Sequence, residues 1–291
     1  MKSLPFMDSI NQLENATWLD PAAKSIRKVV KNVFRQRDLR DLLHGVPFGH
    51  PLHPVMVQIP IGAWTSASIL DLVPGTQKAS AMLVGTGIAA VLPAVASGLV
   101  DWSKSEPGPQ RTGLVHAGVN VVATSLYAIS LIQRCSGREK AGKIFSIAGM
   151  AAVSTGGFIG GHLAYRQGVS ISRVIDIPNN VPSGWQQVAS LDSLEEGKLA
   201  RGMIGETPLV LFRRNGTVRA LADTCSHLGG PLNEGKLIDD GDPCVECPWH
   251  QSMFSLRTGE VIHGPATAPQ PHFETRIVEG QIEARLRPAH S

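Results

Sequence analysis

Four apolar segments follow one another between residues 54 and 164 with few charges among them. They cover 55–73, 81–100, 113–132 and 144–163. Each is close to the ~20 residues a helix needs to cross a bilayer. The irregular points of the first are Gln58, Pro60, Trp64 and Asp71; the second is rich in Gly and Ala and holds Pro93. A soluble helical bundle would carry charge inside such segments, so the pattern reads as a four-span transmembrane bundle. Small residues let helices approach closely, and Gly156-x3-Gly160 and Gly157-x3-Gly161 in the fourth segment are the best placed.

The flanks have a different character. Lys24, Arg27, Lys28, Lys31, Arg35, Arg37 and Arg40 fall within seventeen residues, with Val29, Val30, Val33 and Phe34 among them. An amphipathic helix ending near His44-Gly45 is expected, facing anionic lipid or simply solvated. No secretory signal pattern follows the charges. Because the basic run leads into a membrane segment, no nucleic-acid partner is expected. The loop 133–143 is also basic, through Arg134, Arg138, Lys140 and Lys143, yet must lie on the opposite face. The N-terminal flank is the larger, which places both termini in the cytoplasm and makes the chain a multi-pass protein of the cytoplasmic membrane.

The spans also bring polar groups to one level. His50 and His53 precede the first span, Asp101 ends the second, His116 begins the third and His162 ends the fourth. Alternating helix directions put all five at one membrane face, where polar groups are costly and tend to mark function. Three readings stay open: a b-type haem held by two imidazoles, a quinone or proton-relay site, or a structural set bonded to loops and headgroups.

The last third carries a second motif. Cys225-Ser226-His227 opens it and Cys247-Pro248-Trp249-His250 closes it. Each half offers one thiolate and one imidazole on a tight turn, helped by Gly229, Gly230 and Pro231. Such a set suits a [2Fe–2S] cluster or a tetrahedral zinc site. Spacing favours the cluster, because two opposed mixed loops can hold two irons. Cys244-x2-Cys247 as half a zinc knuckle is the weaker reading. Only four cysteines occur in 291 residues, which argues against a disulfide scaffold and for a reducing compartment.

CSHLGGPLNEG (225–235) and CPWHQSMFSLRTGEVIHGPATAPQP (247–271) resemble a Rieske domain of the bacterial ferredoxin type over about 184–286. The resemblance implies that Cys225 and Cys247 ligate one iron and His227 and His250 the other. Gln251 stands where that family usually has Gly. Gly230 and Trp249 occupy the positions of an extra cysteine pair found in respiratory-complex members, so that disulfide cannot form. FGHPLHPVMVQIPIGAW (48–64), ASGLVDW (96–102) and GGHLAYRQGV (160–169) resemble an uncharacterised prokaryotic four-helix membrane family whose members are found fused to Rieske domains.

The expected organisation is a basic segment 1–47, a transmembrane α-helical domain 48–168, a linker 169–183 and an all-β Rieske domain 184–288. Short strands are expected at 185–189, 200–204, 209–214, 218–223, 273–278 and 281–286, with His263 and His272 as surface or turn residues. The expected function is single-electron transfer between a reductase and an acceptor, with membrane lipid as a further partner. The alternatives are a redox sensor, or a haem- or quinone-linked membrane oxidoreductase with the Rieske domain as electron inlet. No nucleotide fingerprint and no facial-triad iron site are present, so stand-alone oxygenase chemistry is not expected.

Overall fold

The structure, a computed structural model, describes residues 5–287, so the ends of the first and last expected segments lie outside the described residues. It divides into two compact units. One comprises the described residues up to Leu39 together with Pro51–Ser170; the other comprises Arg40–His50 together with the chain from Ile171.

The first unit is helical: α1 (Pro5–Gln12), α2 (Asp20–Val33), α4 (His53–Met56), α5 (Gln58–Leu70), α6 (Gln77–Trp102), α7 (Pro107–Cys135) and α8 (Glu139–Tyr165). The intervening α3 (Arg37–His44) is divided between the units at Leu39/Arg40, and the expected basic helix is two helices with a break after Val33. Among the described residues three helices, α6, α7 and α8, are long and apolar enough to cross a membrane. The first apolar segment is instead split between α4 and α5. Pro60 has no N–H for the carbonyl of Met56, and the helix is interrupted there.

The pairing of α7 with α8 has a regular basis. His116, Asn120, Tyr127 and Arg134 lie on one stripe of α7. Opposite them on α8 stand Gly160, Gly156, Gly149 and Gly142. A Cβ built on each glycine would meet its opposite side chain at 3.1, 2.8, 2.9 and 2.6 Å respectively. The glycines are therefore sockets for large polar side chains. Gly156-x3-Gly160 does the close packing, whereas a Cβ on Gly157 would meet nothing within 4 Å. Trp64 of α5 stacks on Tyr127 at 4.1 Å, and these two centre an apolar core with Val84, Ala123 and Val153.

At the far end of the stripe, Arg134 is 1% exposed and holds Asp71 with both terminal nitrogens, at 2.8 and 2.5 Å. Ser80 and Ser146 complete the network, donating to Asp71 at 2.7 Å and accepting from Arg134 at 3.2 Å, and Lys143 donates to the Asp71 carbonyl. Two residues expected to set topology by their exposed charge are thus bonded to one carboxylate residue.

Among the described residues the second unit is built on ten strands. A six-stranded antiparallel sheet has the order β1 (Gln186–Ser190), β10 (Gln281–Leu286), β9 (His272–Val278), β4 (Thr217–Ala222), β3 (Thr207–Arg214) and β2 (Leu199–Ile204). A four-stranded sheet runs β5 (Lys236–Ile238), β6 (Cys244–Glu246), β7 (Met253–Ser255), β8 (Val261–His263). The six expected strands lie in the large sheet within two residues of their expected ends. The small sheet was not legible, because strands of three residues leave no alternation to read.

Arg40–His50 packs into this β unit, although it precedes the helices in sequence. Asp41 accepts from His263 Nδ1 at 2.6 Å and from the Gly264 amide at 3.0 Å. A Cβ on Gly264 would stand 2.9 Å from Val46 and 3.3 Å from His44. His263 is therefore a packed strand residue with a carboxylate partner, not a surface or turn histidine.

Candidate metal centre

Two loops carry the paired motif, one between β4 and β5 and one between β6 and β7. They repeat the same backbone device. In the first, the Gly229 amide donates to the Cys225 carbonyl at 2.8 Å, and the Cys225 amide to the Gly230 carbonyl at 2.9 Å. In the second, the Gln251 amide donates to Cys247 at 3.1 Å, and the Cys247 amide to Ser252 at 2.8 Å. Gly229 and Gln251 thus occupy equivalent positions, and both are left-handed, with φ +83° and +68°. The usual Gly in place of Gln251 has a plain reason: an L side chain in this region costs ~1–2 kcal/mol. Gln251→Gly is expected to raise stability by about 0.5–1 kcal/mol, the strain relieved less the extra chain entropy of Gly. Denaturant midpoints of the holoprotein check it; no gain would mean that the Gln side chain stabilises the loop.

Cys225 and Cys247 are buried, 1% and 2% exposed, while His227 and His250 are half-buried. The sulfurs are within hydrogen-bond reach of each other. That contact pushes the Cys225 thiol up and draws the Cys247 thiol down. Amides of His227 and Leu228 face Cys225, and those of Trp249 and His250 face Cys247. The two imidazoles stand 5.1 Å apart between ring centres, perpendicular at 85°. A Cβ on Gly230 would fall 2.9 Å from the Cys247 sulfur and 3.0 Å from the Trp249 ring, so the bare glycine is part of the cradle.

This donor set fits two metal ions better than one. A single tetrahedral ion gathers its ligands about one point. Among the described residues no three His, Cys, Asp or Glu side chains gather in that way. A thiol pair and an imidazole pair suit a binuclear cluster with two cysteines on one iron and two histidines on the other.

Sequence reasoning missed the groups that hold the loops. The segment between β8 and β9 ties them together: Ser226 Oγ donates to Ala268 O at 2.7 Å, and the Ala266 amide to Ser252 Oγ at 2.9 Å. Gln270 donates to Thr224 O at 3.0 Å. Asp223, 3% exposed, accepts from the Asn233 amide at 2.6 Å, and its carboxyl is raised by burial. Only the small polar residues flanking each motif hinted at this. Cys244, in β6, donates to Asp242 O at 3.3 Å and is a buried thiol outside the pair. Trp249 is 53% exposed, so it borders the site more than it shields it.

The five histidine and aspartate positions of the apolar region are divided between the two units. His50 lies in the second unit; His53, Asp101, His116 and His162 lie in the first. His53 opens α4, Asp101 is in the last turn of α6, His116 is on α7 and His162 is buried in the last turn of α8. Of these, the structure brings together His53 and His116, with ring centres 6.4 Å apart.

The β scaffold and its two mixed Cys/His loops define an iron–sulfur protein of the electron-carrier class. Residues 184–274 match the Rieske [2Fe-2S] domain, and residues 49–173 match a predicted membrane protein family (DUF2231). The anthranilate 1,2-dioxygenase ferredoxin subunit of Burkholderia cepacia is 36% identical over 102 residues, covering 35% of this chain and 92% of that one. Ferredoxin CarAc of Metapseudomonas resinovorans is 34% identical over 99 residues, covering 34% and 90%. A solved ferredoxin of carbazole 1,9a-dioxygenase from Nocardioides aromaticivorans aligns at 25% identity and TM-score 0.34, over 36% of this chain and 100% of that one. The chain belongs to the Rieske [2Fe–2S] family, with a predicted membrane protein domain preceding the Rieske domain.

Proposed function

We propose that this is a membrane-anchored Rieske protein that passes single electrons from a reductase to an acceptor. The observation that carries the electron-transfer reading is the pair of matched loops, which present two buried thiols and two half-buried imidazoles from the β unit. Cys225 and Cys247 would hold one iron, and His227 and His250 the other. A bound [2Fe–2S] cluster supplies one reversible electron. The protein's own residues keep water from the sulfurs, aim four backbone amides at them and leave the imidazole side open. Trp249 beside that opening offers a partner an aromatic anchor. The relatives named as dioxygenase ferredoxin subunits support an acceptor of the oxygenase kind.

The membrane reading rests on the outward faces of the long helices. Met82, Leu92, Val121 and Ile147 are each more than 60% exposed on α6, α7 and α8, where a soluble bundle would place polar residues. The apolar stretch through α4 and α5 would add a fourth crossing, thin but sufficient with flanking interfacial residues. In this reading 48–168 is the membrane domain, 169–183 the linker and 184–288 the cluster domain. Residues 1–47 lie on the cytoplasmic face of the cytoplasmic membrane. Exposed Trp18, Val29 and Val33 beside Lys24, Arg27, Lys28 and Lys31 suit contact with anionic lipid.

A second reading makes the membrane domain a haem- or quinone-linked oxidoreductase fed by the Rieske domain. One observation favours it, the approach of His53 to His116.

With Gly230 and Trp249 in place of a cysteine pair, the sulfurs have fewer polar neighbours. The midpoint potential is expected below zero, in the lower part of the family's span of about −150 to +300 mV. Potentiometric titration of the purified protein tests the proposal. A one-electron transition below zero supports transfer from a reductase; no reversible transition, or one well above zero, contradicts it.

A further inference from the structure

His53 and His116 are prepared as a pair of ligands. His53 Nδ1 lies 2.8 Å from the Ala94 carbonyl, and His116 Nδ1 lies 2.9 Å from the Gly156 carbonyl. A carbonyl only accepts, so each Nδ1 carries the hydrogen, which leaves Nε2 as the ring nitrogen able to bind a metal. An imidazole whose Nδ1–H is tied to a carbonyl has its tautomer and direction fixed for binding a metal through Nε2. Asn120 does not use that lone pair. Its Nδ2 is 3.4 and 3.3 Å from the two nitrogens of His116, almost equidistant, so it lies over the ring face. Its hydrogen goes to the His116 carbonyl at 2.8 Å.

The rings are also fixed in place. A Cβ on Gly98 would stand 2.8 Å from His53 Nδ1, and one on Gly160 would stand 3.1 Å from His116 Cε1. Each imidazole therefore rests on bare helix backbone. The rings are perpendicular at 86°, with centres 6.4 Å apart. An ion held ~2.0–2.1 Å from two opposed imidazole nitrogens would separate the ring centres by about 6 Å.

The number of donors selects the ligand. Among the described residues no third His, Cys, Asp or Glu joins this pair. Zinc and non-haem iron sites draw three or four donors from the protein. A haem brings four nitrogens of its own and asks for axial ligands alone. Its apolar macrocycle also suits the interior of an apolar helical unit. We infer that His53 and His116 are the two axial ligands of one haem, with its iron between their Nε2 atoms. The inference goes beyond the Rieske assignment and does not depend on it.

The test is haem content and the oxidised and reduced optical spectra of the full-length protein, purified in detergent from haem-replete cells and titrated with haemin. About one haem per chain with a six-coordinate low-spin spectrum is expected. His53→Ala and His116→Ala should each lower haem occupancy at least about tenfold. His116→Met should keep the haem and raise its potential, because a Met/His pair does so and misfolding does not. Cys225→Ser should lose the cluster and keep the haem, which separates failure of the cluster assignment from failure of this one. Folded wild-type protein that takes up no haemin, or full haem occupancy in both alanine variants, would overturn it.

Discussion

Replacing Arg134 by alanine is expected to destabilise the helical unit by about 3–5 kcal/mol, the cost of leaving one partner of a buried ion pair alone. Arg134 and Asp71 are 1% and 9% exposed, and the carboxylate takes both guanidinium nitrogens. Without the guanidinium, Asp71 keeps only Ser80 on its carboxyl group. The melting temperature in detergent should fall by roughly 10 °C. The double variant Asp71→Asn/Arg134→Met should recover much of the loss, because removing both charges removes the desolvation problem along with the attraction. If the single variant melts within a degree or two of the parent, the pair is solvated and the tight polar end of the bundle is misassigned.

Gly230→Ala is expected to remove the cluster while leaving the β scaffold folded. The added methyl would stand 2.9 Å from the Cys247 sulfur and 3.0 Å from the Trp249 ring. Trp249 can swing outward, but a ligating sulfur cannot move without leaving its metal. Iron content should fall at least about tenfold, as displaced metal sites do. Gly229→Asn is the contrasting variant. Its nearest neighbour to an added Cβ is 3.8 Å away, and Asn tolerates the left-handed backbone there. It should keep most of its iron. Equal loss in both variants would mean that backbone conformation, not the space beside Cys247, sets the cradle.

The Rieske domain was legible because its paired Cys/His motif sets particular atoms at a particular spacing, and few other sequences supply it. The long helices were legible from composition alone. What packs against what was less so. Arg134 and Lys143 looked like loop charges that set orientation, since nothing in the local sequence reveals that Asp71 lies beside them. Gly156-x3-Gly160 pointed to close helix packing. That Asn120 and His116 fill those sockets depends on the rotation of α7 against α8, which a spacing rule does not give. The packing of Arg40–His50 into the β unit was invisible for a similar reason. Asp41 and His263 are 222 residues apart, and each looks locally like an ordinary surface residue. The interruption of the first apolar segment was readable in Pro60, where a missing N–H outweighs apolar composition.

The most direct test of the central claim is the iron and acid-labile sulfide content of the detergent-purified protein, taken with its electron paramagnetic resonance spectrum after dithionite reduction. Two irons and two sulfides per chain are predicted, with a reduced signal whose nitrogen couplings come from His227 and His250. Stoichiometric zinc without labile sulfide, in protein made with ample iron, would contradict the account.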